Sequence, residues 1–247
     1  MLDYHSWSLI YDKTRQYNPM ILAKIFEYIS SKNNKNILDF GCGTGNYLEA
    51  ISQLPYVQCY GVDVSSEMLS VAKCKKMPVK LCIGNHQKIS FPDNYFDFIY
   101  VLDVLQHIPQ DELHLLFSEL HRVLKPGCSI LFLTVSHKQL NERTWNAYFP
   151  SAATIQRSRF PDIKLICKLG ALQDLFFDAS LSIEEVRRER IPELFVNHVC
   201  NKAYSVFHLL TEQEYQKGKK QLLADYSAKK EWEYKHGETI LVFRKNK

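Results

Sequence analysis

The stretch Asn36–Asn46, NILDFGCGTGN, sets three glycines, Gly41, Gly43 and Gly45, at alternate positions directly behind a short apolar run. A strand that ends in such a loop lets a ligand come close to bare backbone. Three ligands compete for a loop of this kind: a dinucleotide, a nucleotide phosphate, or a molecule without phosphate. A dinucleotide fingerprint counted from Gly41 needs a third glycine at position 46, where this chain has Asn46. A P-loop needs a Lys-Ser/Thr pair behind its last glycine, and none follows here. Both phosphate readings lose ground.

Outward from the loop, apolar runs alternate with helical patterns. NILDF is a first strand and Asn46 to Leu54 its helix; VQCYGVD is a second strand and Ser66 to Lys75 a second helix, with Ser65 as N-cap and Glu67 in the first turn. VKLCIGN is a third strand. FDFIYVLDV is a fourth, apolar almost throughout, as a central parallel strand buried on both faces must be. Gln110 to Leu124 carries Leu113, Leu116, Phe117, Leu120 and Leu124 at helical spacing, stops at Lys125-Pro126-Gly127, and leads into a fifth strand, CSILFLTV. Strands alternating with helices in this way predict βαβ units and a doubly wound α/β sheet.

The pattern changes after Ser136. Residues 137–160 lack strand periodicity and gather Trp145, Tyr148, Phe149, Arg157, Arg159 and Phe160. Ile163 to Phe177 reads as helix, LSIEEVRRERIP as strand in preference to a charged helix, and Phe195 to Leu210 and Thr211 to Tyr226 as two helices, with Thr211 capping the second. ETILVFRK closes the chain as a strand. One domain over 1–247 follows, divided into a leading helix over 1–34, a βα core over 35–136, a helical insertion or lid over 137–230, and a closing strand over 231–247.

Composition narrows the partners. Hydrophobic residues at 46% and charged residues at 23% suit a globular protein with a real core, and a net charge of +4 is too mild for a dedicated nucleic-acid binder. The seven cysteines are scattered, odd in number and free of any C-x-x-C pair, which predicts reduced thiols rather than a disulfide framework or a metal site. The opening MLDYHSWSLIYDKTRQY has no basic start and no long apolar stretch, and no segment approaches membrane-helix length. A cytoplasmic protein with no membrane span is the expectation.

Asp63, at the end of the second strand, is placed to accept hydrogen bonds from both hydroxyls of a ribose. The competing reading is a helix-capping or surface carboxylate. Asp39 lies inside the first strand, where a carboxylate is costly without a donor; it can steady the glycine loop or draw in an ammonium group.

Four motifs in order, ILDFGCGTG, GVDVSSEML, FPDNYFDFIYVLDVLQHI and ELHRVLKPGCSILF, resemble a class I S-adenosylmethionine-dependent methyltransferase, in the small-molecule branch that includes the ubiquinone and menaquinone biosynthesis enzymes. The resemblance spans residues 35–135. It implies a Rossmann-like, seven-stranded, mostly parallel sheet with an antiparallel last strand, and S-adenosyl-L-methionine as cofactor. The cofactor site it implies comprises Asp39, Gly41, Cys42, Gly43, Gly45, Asp63, Val64, Met68, Asn85, His86, Leu102 and Asp103. The glycines would pass under methionine and ribose, Met68 would pack on adenine unless it is ordinary helix core, and Leu102 would offer its carbonyl near the methionine amino group. Where the family usually has Gly-Asp after the third strand this chain has Gly84-Asn85-His86, so Asn85 would receive the adenine amino group as a neutral, weaker acceptor. His107 matches a position commonly histidine in this branch; it is either a base or a residue bonded within the fold.

Methyl transfer from a sulfonium needs positioning, no metal, and a base only if the acceptor must lose a proton. The candidates for that base are His107, Asp103 and Tyr11; Arg15 is a further position of interest in the leading segment, and His137, Trp145, Tyr148 and Arg157 in the insertion. Three functions compete. A small-molecule methyltransferase is favoured by the weak charge and the aromatic insertion. A tRNA methyltransferase would use Arg157, Arg159, Arg187, Arg188 and Arg190 as a phosphate path, although Arg187, Arg188 and Arg190 are interleaved with Glu184, Glu185 and Glu189 as on a solvated face. A non-catalytic cofactor-binding relative acting through protein partners is the third.

Overall fold

A computed structural model of the protein describes residues 17–29 and 35–247. Seven strands form one sheet: β1 (Lys35–Phe40), β2 (Val57–Asp63), β3 (Val79–Ile83), β4 (Phe96–Leu102), β5 (Leu124–Thr134), β6 (Leu175–Arg190) and β7 (Glu231–Lys245), in the order β3-β2-β1-β4-β5-β7-β6. All neighbouring pairs through β5 are parallel, and β7 runs against both β5 and β6. The expected mostly parallel sheet with a reversed last strand is the observed one. Between β1 and β4 the winding reverses, and the crevice beyond the carboxyl ends of those strands is where such a sheet takes its ligand.

Helices cover both faces. α1 (Pro19–Ile29) and α2 (Asn46–Ile51) pack on one side, where Ile21, Ile25, Ile29, Leu48 and Ile51 meet Ile37, Phe98, Tyr100, Leu131 and Ile240. α3 (Ser66–Cys74) adds Leu69 to the same cluster. On the opposite face α4 (Leu113–Val123) brings Leu113, Leu116, Phe117, Leu120 and Val123 against Leu38, Val101, Phe132 and Phe243, with Ile166 and Leu169 of a later helix beside it. Ser65 caps α3 through a bond from the Met68 amide, as its position predicts.

The second half of the chain departs from its predicted boundaries. Residues 137–160 form α5 (His137–Glu142), a 3-10 turn over Thr144–Ala147, and α6 (Ala152–Arg159). The helix expected over 163–177 is α7 (Ile163–Leu172), and Leu175 to Phe177 instead begin β6. That short apolar run fits either structure locally; pairing of Leu175 with Lys245 and of Phe177 with Phe243 decides it. The helix expected over 195–210 stops as α8 (Glu193–Cys200), because Lys202 turns left-handed at φ 48° and its amide bonds back to Val199. α9 (Glu212–Ser227) follows its Thr211 cap. The helix expected over 110–124 is shorter, Leu113–Val123, and Lys125-Pro126-Gly127 do not form its stop but lie within β5, which begins at Leu124 and pairs with Phe96 across a bulge.

Only residues 239–244 of β7 pair with β5; residues 231–238 pair with β6 alone, so the two strands run on beyond the sheet as an arm. The arm carries a third apolar core. Trp145, Phe149, Ile191, Phe195, Phe207, Tyr215, Leu222 and Trp232 pack there, separate from the two sheet clusters. The fit is tight enough that a Cβ on Gly218 of α9 would lie 2.4 Å from Phe149 Cε1. α5 is tied to the arm by Gln139: its Oε1 accepts from the Ser136 amide (2.9 Å) and Thr239 Oγ1 (2.8 Å), and its Nε2 donates to Ser182 Oγ and the Glu238 carbonyl.

Candidate functional site

The loop behind β1 bends back immediately. The amides of Gly41 and Cys42 both donate to the carbonyl of Val62, fastening the loop to the end of β2. Gly41, Gly43 and Gly45 all hold positive φ, at 79°, 53° and 79°. A Cβ at Gly41 would lie 2.2 Å from Val104 Cγ2, so there the backbone must be bare to clear the protein itself. At Gly43 a Cβ would meet nothing within 4 Å. The glycine there leaves room on the cavity side, as close approach of a ligand to backbone requires.

Asp63 holds this loop from the neighbouring strand. Its Oδ2 accepts from the Gly43 amide (2.8 Å) and its Oδ1 from the Ser65 amide (2.9 Å). Burial pushes its pKa up, opposed by the bonds from the Ser65 and Gly43 amides and by the neighbouring Val64 amide dipole. Each oxygen still has a lone pair for a ligand hydroxyl. Capping and ligand binding are therefore compatible at this residue.

A cavity of about 310 Å³ opens over the loop, lined by Gly41, Gly43, Asp63, Val64, Met68, Asn85, His86, Leu102, Asp103 and His107. Met68, only 5% exposed, belongs to both wall and helix packing. His107 ends a 3-10 turn over Leu105–His107 and stands in this wall. His86 Nε2 lies 2.6 Å from Glu112 Oε2, and that bond holds the Glu112 pKa down. Asn85 is engaged differently from its expected role: its Oδ1 accepts from the amides of Gln87 (3.0 Å) and Lys88 (3.1 Å), so both lone pairs of the oxygen serve the local turn.

A second cavity of about 290 Å³ adjoins the first and shares Gly41, Leu102, Asp103, Gln106 and Ser205 with it. Asp103 stands at the junction, held at φ 55°, its amide on the Leu133 carbonyl and its own carbonyl accepting from Gln106 Nε2. Asp39 and Cys42 line this second space. The strand register sets Asp39 beside Gly61 and Tyr100, and burial drives its pKa well above the ordinary carboxyl value, against the Tyr100 hydroxyl, which lowers it. Burial likewise pushes the Cys42 thiol up and leaves it unreactive. Gly45 caps the start of α2 and lines neither cavity.

The far wall of the second cavity comes from the arm and its helices: Arg143, Gln156, Phe160, Tyr204, His236 and Glu238. None of these stands out in the sequence as an acceptor-side candidate. The residues that do stand out there are used structurally. Trp145 packs in the arm's core beside Tyr204 and Phe207, the Tyr148 hydroxyl bonds Asp225, His137 Nε2 lies 2.9 Å from the Phe160 carbonyl, and Arg157 bonds Asn141 and Thr154. Arg187 is paired with Glu185 and Glu189. Tyr11 and Arg15 lie outside the described residues. What would have distinguished Arg143 is its place four residues after the anchored Gln139, at the end of a short capped helix that turns it inward.

Residues 38–132 match the family profile of the methyltransferase domain. The norajmaline N-methyltransferase of Rauvolfia serpentina is 28% identical over 151 residues, covering 59% of this chain and 48% of that protein. A demethylmenaquinone methyltransferase of Geobacillus sp. (strain WCH70) is 34% identical over 116 residues, covering 44% of this chain and 49% of that protein. The chain thus spans about half the length of these curated relatives. Among solved structures, the phosphoethanolamine N-methyltransferase 2 of Haemonchus contortus, complexed with phosphomonomethylethanolamine and S-adenosylhomocysteine, superposes with a TM-score of 0.60 at 17% identity, over all of this chain and 61% of that one. The match over residues 38–132 makes that segment similar to a methyltransferase domain, and the strand order of the whole sheet is the Rossmann-like fold shared with that solved structure.

Proposed function

We propose that the protein transfers a methyl group from S-adenosyl-L-methionine to a small-molecule acceptor. The observation that carries this is the pair of joined cavities: one floored by bare Gly43 backbone and walled by Asp63 and Met68, the other polar and roofed by the arm. The residues fit the cofactor's parts. Asp63 has lone pairs for two ribose hydroxyls, Met68 and Val64 offer an apolar edge to adenine, and Asp39, Asp103 and the Leu102 carbonyl surround the junction where an ammonium group would be received.

When bound, the cofactor supplies an electrophilic methyl on a sulfonium, whose positive charge vanishes as the methyl leaves. The protein's part is to hold an acceptor atom in line with that methyl at the junction and to keep water out; such orientation is worth on the order of 7–11 kcal/mol. The Asp39 and Asp103 carboxyls make the junction electronegative, which suits a cationic donor. His107 stands in the wall of the adenosine-side cavity and not in the roofed one, so we read it as a structural neighbour of the cofactor rather than a base, and Asp103, at the junction, as the better placed of the two.

No helix among the described residues is long and apolar enough to cross a membrane. Seven free thiols, two of them fully buried, favour a reducing compartment such as the cytoplasm. We read the segment 137–230, with the arm strands, as the lid over the acceptor. Titration with S-adenosylhomocysteine by calorimetry tests the cofactor: micromolar binding is expected, and no heat at millimolar ligand refutes it. Transfer of tritiated methyl groups into small-molecule fractions rather than bulk tRNA tests the acceptor class, and preferential labelling of tRNA would overturn it.

A further inference from the structure

The roof of the second cavity presents a buried cation without an ionic partner among the described residues. Arg143 is 8% exposed, its guanidinium lies 4.7 Å above the Trp145 ring, and its Nε has no hydrogen-bond partner. Gln156, 5% exposed on α6, lines the same wall with its Oε1 equally unpartnered. Burial pulls the Arg143 pKa down while Asp103 and Glu238 oppose that from a distance, yet no carboxylate among the described residues lies within ion-pair range of it. Glu238 is 3.5 Å from His236 instead. A buried guanidinium left unpaired is strongly unfavourable, so the fold keeps it for a ligand that completes its fork.

The charges are also sorted along the cavity. Asp39 and Asp103 occupy the floor beside the glycine loop, whereas Arg143 and Gln156 occupy the roof. A molecule spanning the two would put an oxyanion at the roof and its reacting atom at the floor. We propose that Arg143, assisted by Gln156, binds a carboxylate or phosphate group of the methyl acceptor, so that the substrate is a small molecule anionic at the end remote from the reacting atom. This rests on the methyltransferase reading for its second half, but the oxyanion site stands on the cavity alone.

The test uses the full chain, with and without saturating S-adenosylhomocysteine, titrated with benzoate and phenyl phosphate against the neutral benzamide and benzyl alcohol. The anionic probes are expected to bind at least tenfold more tightly than the neutral ones, the better of the two anions identifying the group. Arg143→Met should abolish that preference while the S-adenosylhomocysteine affinity moves less than threefold, and Arg143→Lys should retain part of it. Melting temperatures of both variants exclude unfolding as the cause, and Gln156→Leu, which keeps the charge, should weaken the anions severalfold. Equal binding of anions and neutral probes, or a preference that survives Arg143→Met, overturns the proposal. So does a tenfold loss of S-adenosylhomocysteine affinity in Arg143→Met, which would give the guanidinium to the cofactor's own carboxylate. Absence of S-adenosylhomocysteine binding to the unaltered chain, with the anion preference intact, would sink the methyltransferase reading and leave the oxyanion site standing.

Discussion

Asn85→Asp should make this protein bind its cofactor more tightly. Both lone pairs of the Asn85 oxygen are occupied by the amides of Gln87 and Lys88, so the arm of the side chain left toward the cavity is Nδ2, a donor. The exocyclic amine of adenine is a donor too. Two donors facing each other cannot bond, and the wild-type contact contributes nothing there. A carboxylate keeps the turn, because one oxygen replaces Oδ1 on the same two amides, and it offers its second oxygen in place of Nδ2. Hydrogen bonds to charged groups are worth about 1.5–3 kcal/mol net when buried. Asn85 is exposed in the unliganded cavity, so water competes and about 1 kcal/mol is the reasonable share, a roughly fivefold gain in affinity. The assay is calorimetry with S-adenosylhomocysteine and with S-inosylhomocysteine, whose ring carries an oxygen in place of the amine. The gain should appear with the first and turn to a loss with the second, since two acceptors would then face each other. An equal gain with both ligands would mean that general electrostatics acts, and no gain with either would mean that adenine lies elsewhere in the cavity; each result refutes the argument.

Asp63→Ala removes the ribose acceptor and the anchor of the Gly43 amide together, so S-adenosylhomocysteine affinity should fall at least about 100-fold, by about 3 kcal/mol; an unchanged Kd in calorimetry would refute the assignment. Gly41→Ala forces a Cβ to 2.2 Å from Val104 at a positive φ and should cost at least about 2 kcal/mol, lowering Tm by about 4–8 °C in calorimetric melting. Gly43→Ala meets no protein atom, so its melting temperature should fall much less while its cofactor affinity falls more, the reverse ranking being the disproof. Asp39 has a pKa raised by burial, so its contribution to stability is full below the unfolded value near pH 4 and is lost as pH rises through the folded value. Asp39→Asn should therefore melt several degrees higher than the parent at pH 8, with the gap closing toward pH 4, and should bind cofactor more weakly; a gap independent of pH would refute the buried-charge account.

The first half of the molecule is plain in the sequence because each level agrees there. In β4 the run FDFIYVL has nowhere to go but between two helical layers, and behind β1 the positive-φ glycines have few alternatives. The Asp63 position follows from strand order alone. The second half is not legible in that way. Leu175 to Phe177 suit helix or strand, and Phe243, 66 positions beyond its partner Phe177, decides between them. The charges of β6 look like a solvated helix face because an edge strand beside a single partner exposes them in the same proportion. Trp145 and Tyr148 stand out as binding aromatics, yet they build the core of the arm. Arg143 is inconspicuous in NERTWNAY, since its burial depends on Gln139 reaching across to β7. Chemistry carried by the core shows in local spacing; chemistry carried by the roof depends on contacts about a hundred residues apart.

The arm has a mechanical side. Residues 231–238, free of β5 and paired only with β6, amount to a two-stranded cantilever about 26 Å long at about 3.3 Å per residue. Its root is clamped in the central sheet and its tip bears a small apolar body. A tilt of about 5° at the root would displace the tip by about 2 Å, enough to admit or seal a small molecule, with every strand-to-strand bond of the lever intact. Gate travel would thus be set by the twist of two strands, so substitutions at the root, where Glu238 borders the second cavity, would govern how long a bound molecule stays inside.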